Sequence, residues 1–380
     1  MGYNMIILLT LLAVFFLYCL QALYYKKYWI RGLDCKVCFQ DRAVNEGDMS
    51  ALQETILNRK IFPLVTLQVK FSVSRTLQFT EAENTATTDN NYRNDIFSVM
   101  SYEKISRVLP FRAAKRGCYR VWNLDLISFD LFLSNKSVVS QDVDTTLYVY
   151  PKPVPFAELK TPFRQMMGTI LTKRSAFEDP FEFRGIRPYQ QFDPMKNVNW
   201  KASAKSGEWM VNVHDYTASQ RVTIFLNLAD DSIWHYDRLF ESSIRLAASY
   251  AEFLVSQGIP VQLISNGVDA LTGQPLMLPA GAGTHHIRSV KEGLARLSDR
   301  SQDLSDLEPL VAEKLISSQD SELYLLISSS QKKHLLGIFD RLCQKSEGSQ
   351  WIAPLHKDMD FLPERCPHAA SIRWEVSRIE

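Results

Sequence analysis

An uncharged apolar stretch at the start of the chain limits where every later segment can lie. The first 25 residues contain no Asp, Glu, Lys or Arg. Three residues interrupt the apolar run of residues 5–23: Thr10, Cys19 and Gln21. At 1.5 Å per residue, about 20 such residues form a helix that spans the ~30 Å hydrocarbon core of a bilayer. The stretch therefore predicts a transmembrane helix.

The residues after this run are typical of a helix that ends at a membrane–water interface. Four aromatic side chains, which favour that interface, lie here: Tyr24, Tyr25, Tyr28 and Trp29. Lys26, Lys27 and Arg31 share the segment, and the positive-inside rule places such a flank in the cytoplasm. A cleaved signal peptide and a buried helix are the alternatives. However, no positive segment precedes the run and no small-residue cleavage site follows it. We predict a single-pass membrane protein with cytoplasmic domains.

Length and charge exclude several classes of protein. A chain of 380 residues is long enough for about two domains beside the anchor. Lys and Arg number 43 against 42 Asp and Glu, so the chain lacks the cationic excess that drives nucleic-acid binding. Its six cysteines are too sparse for a disulfide framework and suit a reducing cytosol. Cys35 and Cys38 form one CxxC pair, but a zinc site needs two further ligands.

Two regions differ in the period of their apolar residues. Residues 32–155 alternate apolar and polar side chains, most clearly from Leu67 to Val73, and this pattern predicts a β-sandwich. Residues 215–380 alternate short apolar runs, such as Val222–Leu226, with amphipathic helical patterns. That pattern predicts an α/β domain with an open, doubly wound, mostly parallel sheet. With residues 1–31 as the anchor and 156–214 as a connecting segment, the predicted fold class is α+β and multidomain.

The connecting segment carries the most distinctive string of residues in the chain. Its motif positions are Arg187, Tyr189, Asp193, Lys196, Trp200, Lys201, Ser203 and Lys205. The string resembles the hallmark of a bacterial family, the domain of unknown function 58, which reads Arg, Tyr, Gly-Asp, Arg, Asp-Trp-Lys-Ala-Ser-Ala-Arg. In that family the string precedes a von Willebrand factor A-like domain. Lysine stands at 196 and 205 where the family has arginine, while Phe192 and Asn199 replace its glycine and aspartate.

The resemblance covers nearly the whole chain and implies a function as well as a fold. It implies a membrane-anchored protein with a von Willebrand A-like domain, and a partner among the MoxR-type AAA+ ATPases. The motif itself places several cations around one tryptophan, which suits an acidic partner surface. The alternative is a structural role, in which Trp200 anchors the segment on the sheet and the cations are solvated or paired.

The resemblance also implies a Mg²⁺ site, which this sequence retains only in part. Von Willebrand A domains hold the ion with an Asp-x-Ser-x-Ser loop, a threonine from a second loop and an aspartate after a later strand. The corresponding residues are Asn227, Ala229, Asp231, Thr284 and Ser329. Because asparagine, alanine and serine stand where an aspartate, a serine and an aspartate belong, we predict a degenerate site. We expect no bound metal and no other cofactor.

The leading hypothesis is a non-enzymatic, membrane-anchored interaction or scaffold protein. It would work with an AAA+ ATPase in envelope-related or complex-assembly processes. An enzyme acting on envelope precursors is the alternative, with Cys118 or Cys366 as nucleophile, although no recognisable base accompanies either cysteine. A metal-dependent adhesion module is the third possibility, and it would need the opposite topology and an intact metal loop.

Overall fold

The chain forms two compact units, residues 1–152 and 153–380. The computed structural model describes residues 2–80, 85–87, 90–176, 178–189, 195, 198–216, 221–229, 237–297, 304, 306–317, 322–346 and 348–377. The architecture is mixed α+β, with an apolar N-terminal helix and β-sheets in both units.

Among the described residues, the first unit contains one helix and twelve strands. They are α1 (Gly2–Tyr28), β1 (Leu33–Phe39), β2 (Ala43–Asn45), β3 (Met49–Asn58), β4 (Leu64–Ser74), β5 (Leu77–Phe79), β6 (Thr85–Thr87), β7 (Asn90–Val99), β8 (Lys104–Ala113), β9 (Gly117–Arg120), β10 (Trp122–Phe129), β11 (Lys136–Gln141) and β12 (Thr146–Tyr150).

These strands form three small sheets around one apolar core. The orders are β1-β3-β8-β5, β11-β10-β4-β7-β6 and β2-β12-β9. The strand predicted from Leu67 to Val73 is confirmed as part of β4, whose apolar side chains are buried in that core because successive residues of a strand face opposite sides.

Helix α1 has two parts with different surroundings. Its side chains are exposed from Met5 to Leu17, whereas Tyr25 in its last turns and Trp29 directly after it are buried in the core of the first unit. Among the described residues, α1 is the helix that is long and apolar enough to cross a membrane, as its composition predicts.

The second unit contains the remaining elements. They are α2 (Phe156–Ala176), β13 (Glu178–Pro188), α3 (Trp200–Ser206), β14 (Met210–Tyr216), β15 (Arg221–Asn227), α4 (Asp237–Ser256), β16 (Val261–Val268), β17 (Pro275–Gly281), α5 (Gly283–Arg296), α6 (Glu308–Ile316), β18 (Glu322–Ser328), α7 (Lys333–Lys345), β19 (Gln350–Leu355) and β20 (Ala370–Glu375).

Six of these strands form one sheet in the order β17-β16-β15-β18-β19-β20. All neighbours are parallel except β17, which runs antiparallel along the edge of β16. Helices cover both faces. Ile224 of β15 packs in one core with α4 and α5, whereas its neighbour Phe225 packs in a second core with α6 and α7. The predicted alternation of strands and helices is therefore present.

The predicted connecting segment comprises residues 156–214, and its first part is packed in the core of the second unit. Residues 156–176 form α2, and its Leu159, Phe163, Met166 and Ile170 are buried in the same core as α4. Their spacing of four, three and four residues places them on one helix face, which explains why α2 packs against the domain instead of linking it.

Candidate functional site

The second half of the connecting segment forms a small antiparallel sheet with a short helix. Strands β13 and β14 pair so that Ile186 lies opposite Asn212 and Pro188 lies opposite Met210. Helix α3 lies between the two strands in sequence. Asn199 caps its N-terminus, because the side-chain Oδ1 accepts a hydrogen bond from the Ala202 amide at 2.9 Å. Gly207, at a φ of 78°, ends the helix in the left-handed conformation that glycine tolerates.

Ser203 and Asn199 attach α3 to β14. The Ser203 hydroxyl accepts a hydrogen bond from the Met210 amide and donates one to the Asn199 carbonyl, each at 2.8 Å. The Asn199 Nδ2 donates to Asn212 Oδ1 at 2.6 Å. Ser203 and Asn199 therefore position the helix that presents Trp200.

Three aromatic side chains, which we call the aromatic cluster, meet on this surface: Tyr189, Trp200 and Trp209. The ring centroids of Trp200 and Trp209 lie 6.3 Å apart, and those of Tyr189 and Trp209 lie 5.6 Å apart, both edge to face. Trp200 is 64% exposed and Trp209 is 52% exposed. Most of the surface of Trp200 is therefore in solvent, and its role as an anchor of the segment or as part of a partner surface stays a prediction.

The cations of the motif are only partly described. Lys201 and Lys205 are exposed on α3. Arg187 is half-buried and donates from Nη1 to the Pro188 carbonyl at 3.1 Å. Asp193 and Lys196 lie outside the described residues. Sequence analysis did not select Trp209, although its position nine residues after Trp200 and directly before β14 was the available signal.

A second polar site lies at the carboxyl end of the parallel strands. Asn227 is 3% exposed and donates from Nδ2 to Ser328 Oγ at 3.0 Å. Its Oδ1 accepts hydrogen bonds from Asn266 Nδ2 at 2.9 Å and from the Ala229 amide at 3.2 Å. Buried polar groups need partners, and here the amides and hydroxyls satisfy one another. Asn266 and Ser328 were not selected from sequence, although each follows a buried apolar run.

Among the described residues, the structure does not bring the expected metal positions together. Thr284 follows β17, whose Gly281 pairs with Val261 at the amino end of β16. Asn227 lies at the carboxyl end of β15, about 17 Å away along the strands. Ala229 offers no side-chain donor, Ser329 is half-buried after β18, and Asp231 lies outside the described residues. The side chains of Asn227, Asn266 and Ser328 do not fit a Mg²⁺ site, because their polar groups bond to one another or to the backbone and include no carboxylate.

The two cysteines of the enzyme alternative, Cys118 and Cys366, lie in different surroundings. Cys366 is 1% exposed, and burial together with a hydrogen bond to Cys366 raises the pKa of the Cys343 thiol. Cys118 is half-buried on β9. In β1, Cys35 is buried and Cys38 is exposed, so the CxxC pair points to opposite faces of a strand. The part of the chain that is described contains no group of three or more His, Cys, Asp or Glu arranged to hold a metal ion.

Comparisons with known proteins add no functional assignment. No family model matches the chain, and no curated protein matches it. Among solved structures, the CARDB domain of a Pyrococcus furiosus protein is 13% identical, covers 31% of this chain and 88% of its own, and has a TM-score of 0.20. A cohesin from Clostridium thermocellum is 8% identical, with coverages of 30% and 98% and a TM-score of 0.23. The Bacillus subtilis sporulation control protein Spo0M is 9% identical, with coverages of 42% and 58% and a TM-score of 0.18.

Proposed function

We propose that the protein is a membrane-anchored interaction protein that docks a MoxR-type AAA+ ATPase through the aromatic cluster and its neighbouring cations. In this proposal α1 crosses the membrane and both units are cytoplasmic. The observation that carries the proposal is the exposure of two tryptophans, Trp200 and Trp209, on one surface. A monomeric surface rarely leaves such rings in water without a partner, and tryptophan is enriched at the centres of interfaces.

Two features of α1 support the membrane anchor. Its exposed apolar side chains from Met5 to Leu17 have no protein core to cover them within the first unit. Its C-terminal end carries Lys26 and Lys27, which favour the cytoplasmic side. These features support a single-pass anchor with the C-terminus in the cytoplasm.

The topology of the second unit supports a von Willebrand A-like, doubly wound domain. Counted from β15, the strands of the six-stranded sheet lie in the order 3-2-1-4-5-6, and helices lie on both faces. That order is one of the two common doubly wound arrangements. With Asn227 and Ala229 at the positions of metal ligands, we assign the domain a docking role that needs no metal.

The cations beside the aromatic cluster support an acidic partner. Lys201 and Lys205 project from the same short helix as Trp200. Exposed cations beside aromatic rings steer an anionic surface towards the rings, and the rings then supply the apolar contact area. The identity of the partner as an AAA+ ATPase comes from the motif resemblance alone.

A crosslinking pull-down from native membranes tests this function. One variant replaces Trp200 and Trp209 with Ala, and a second replaces Arg187, Lys201 and Lys205 with Glu. A matched triple variant in the same unit, with Arg288, Lys333 and Lys357 changed to Glu, controls for charge alone. We expect wild type and the matched control to recover an AAA+ ATPase, while both motif variants recover at least tenfold less.

Melting curves separate docking from folding. Because Trp200 and Lys201 are exposed, the motif variants should melt within a few degrees of wild type. Recovery of no AAA+ ATPase by wild type would refute the partner. Equal recovery by all variants would refute the surface.

A further inference from the structure

Three loops of the first unit lie at the same end as the exit of α1. Asn58 at the end of β3 pairs with Leu33 at the start of β1, so the β3–β4 loop, 59–63, lies beside the end of α1. Leu64 pairs with Val99, which places the β7–β8 loop, 100–103, at the same end. Strand β10 ends beside the start of β4, so the β10–β11 loop, 130–135, also lies at this end of the unit.

These three loops expose large apolar side chains in addition to polar residues. The exposed fractions are 67% for Ile61, 43% for Phe62, 61% for Met100, 66% for Tyr102, 63% for Phe132 and 57% for Leu133. Loop tips of soluble domains are normally polar, so a set of apolar tips at one end marks an interaction surface.

Direct contacts hold two of the loops against α1. The ring centroids of Phe132 and Tyr18 lie 5.7 Å apart, and those of Phe62 and Tyr24 lie 4.3 Å apart. The Tyr25 hydroxyl donates to the Pro63 carbonyl at 2.6 Å. The loops therefore have a defined height along the helix axis.

That height places the β10–β11 tip within the predicted span. Tyr18 precedes Lys26 by eight residues, which is about 12 Å along a helix. A bilayer whose interface lies near Lys26 would surround Tyr18 with hydrocarbon, and Phe132, in contact with that ring, would be surrounded as well.

We propose that these loops insert into the lipid bilayer as a second membrane contact beside α1, with the tip at Leu131, Phe132 and Leu133 reaching the hydrocarbon. The proposal rests on the membrane anchoring proposed above. The bound chemistry is a lipid surface with anionic headgroups. Insertion fixes the orientation of the sandwich on the membrane, which a single helix could not do because it can rotate about its axis.

The charges near the loops fit this partner. Exposed cations flank the apolar tips: Lys26, Lys27, Arg31, Arg59, Lys104 and Lys136. Cations at this level meet lipid phosphates, whereas the apolar tips lie deeper.

Hydrogen bonds within the tip satisfy the polar groups of Asp130, which a segment near hydrocarbon requires. The carboxylate of Asp130, which is 2% exposed, accepts hydrogen bonds from the Ser134 amide at 2.6 Å and from Asn135 Nδ2 at 2.9 Å. The Leu133 amide donates to the Asp130 carbonyl at 3.0 Å. Leu133 has a φ of 57°, so this network holds a strained turn that presents Phe132 outward.

Photocrosslinking of the full chain in vesicles tests the proposal. The photoreactive amino acid p-benzoylphenylalanine replaces Phe132, Phe15 or Tyr92 one at a time, in vesicles of phosphatidylcholine and phosphatidylglycerol that carry an alkyne-tagged acyl chain. Phe15 lies within α1 and reports the anchor itself. Tyr92 is 49% exposed at the opposite end of β7 and is the matched control outside the membrane.

We expect lipid adducts at Phe15 and Phe132, and at least fivefold less at Tyr92. Adducts at Phe15 without adducts at Phe132 would overturn the loop insertion while leaving the anchor intact. Absence of adducts at both positions would overturn the membrane anchor and the insertion together. A melting curve for each variant confirms that the unit is folded.

Discussion

At the scale of single residues, Glu54 is an acidic side chain that is buried inside the first unit. It is 1% exposed on the core-facing side of β3, and both carboxylate oxygens lack a hydrogen-bond partner. Burial is the main reason that its pKa rises to about 8, with Asp95 adding to the rise while Arg107 and Arg93 oppose it. At neutral pH this glutamate therefore carries a proton in the folded protein.

The raised pKa predicts a pH-dependent stability of the first unit. Between about pH 4.5 and pH 8 the unfolded chain releases the Glu54 proton and the folded chain retains it, so the free energy of unfolding falls as pH rises through this window. Glu54→Gln should abolish this fall and raise the melting temperature at pH 8, by the equivalent of roughly 4 kcal/mol, but not at pH 4. Melting of the detergent-solubilised chain at both pH values measures the effect. Asp142→Asn, at an exposed position, is the control and should change neither melting temperature.

Asn227 carries a second prediction at this scale. Replacement by Asp introduces the carboxylate that the resembled metal motif has at this position, but it places a buried charge among groups that already bond to one another, so Asn227→Asp should cost about 1–3 kcal/mol of stability. Millimolar Mg²⁺ should shift the melting temperature of neither wild type nor the variant, because a ligand that does not bind cannot stabilise the fold. A saturable Mg²⁺ stabilisation of either protein would contradict the degenerate site.

At the scale of secondary-structure elements, α3 depends on contacts outside itself. A helix of seven residues has too few internal hydrogen bonds to be stable alone, and none of its residues is buried. Its position comes from the Asn199 cap and from the Ser203 hydroxyl, which joins the helix to β14. The aromatic cluster is therefore presented by polar contacts and not by an apolar core.

Removing the Ser203 hydroxyl should loosen this element without unfolding the domain. Ser203→Ala leaves the Met210 amide without its partner and should cost about 1–2 kcal/mol locally. Hydrogen exchange at Met210 should accelerate, by about tenfold or more, while exchange in β15 stays unchanged. Ser206→Ala removes an exposed hydroxyl from the same helix and should leave Met210 protected. Equal exchange in both variants would show that Ser203 does not hold α3.

At the scale of the whole molecule, the proposed membrane helix α1 and its basic flank predict the side of the membrane on which the rest of the chain lies. The cations Lys26, Lys27 and Arg31 all follow the apolar run of α1, and the run itself carries none. Positively charged flanks remain in the cytoplasm during insertion, so both units should be cytoplasmic.

Reporter fusions to the C-terminus measure this orientation. A fluorescent protein should be bright and alkaline phosphatase should be inactive. Replacing Lys26, Lys27 and Arg31 with Gln should raise the phosphatase signal, because the charge bias is removed. Full phosphatase activity of the wild-type fusion would reverse the topology and remove the cytoplasmic ATPase as a partner.

Local sequence patterns were sufficient to predict a helix or strand wherever the apolar residues of one segment recur with a regular period. The apolar run of α1, the alternation along β4 and the continuous apolar run of β15 all predicted the observed elements, because side-chain burial follows the period of the backbone. The location of Asn199 before α3 also follows a local rule for helix caps. By contrast, the packing of α2 was missed because its stripe of four buried residues is diluted by polar residues.

Positions that depend on distant segments could not be predicted from local patterns. Thr284 lies far from Asn227 because β17 runs antiparallel, and a strand's direction is set by the sheet it joins. Asn227 bonds to Ser328, 101 residues away, so the polar network exists only once β15 and β18 pair. The sequence alone was compatible with either a buried or an exposed Trp200. The tertiary structure leaves it exposed, because short-range polar contacts hold α3 on β14 and no core residue covers the ring.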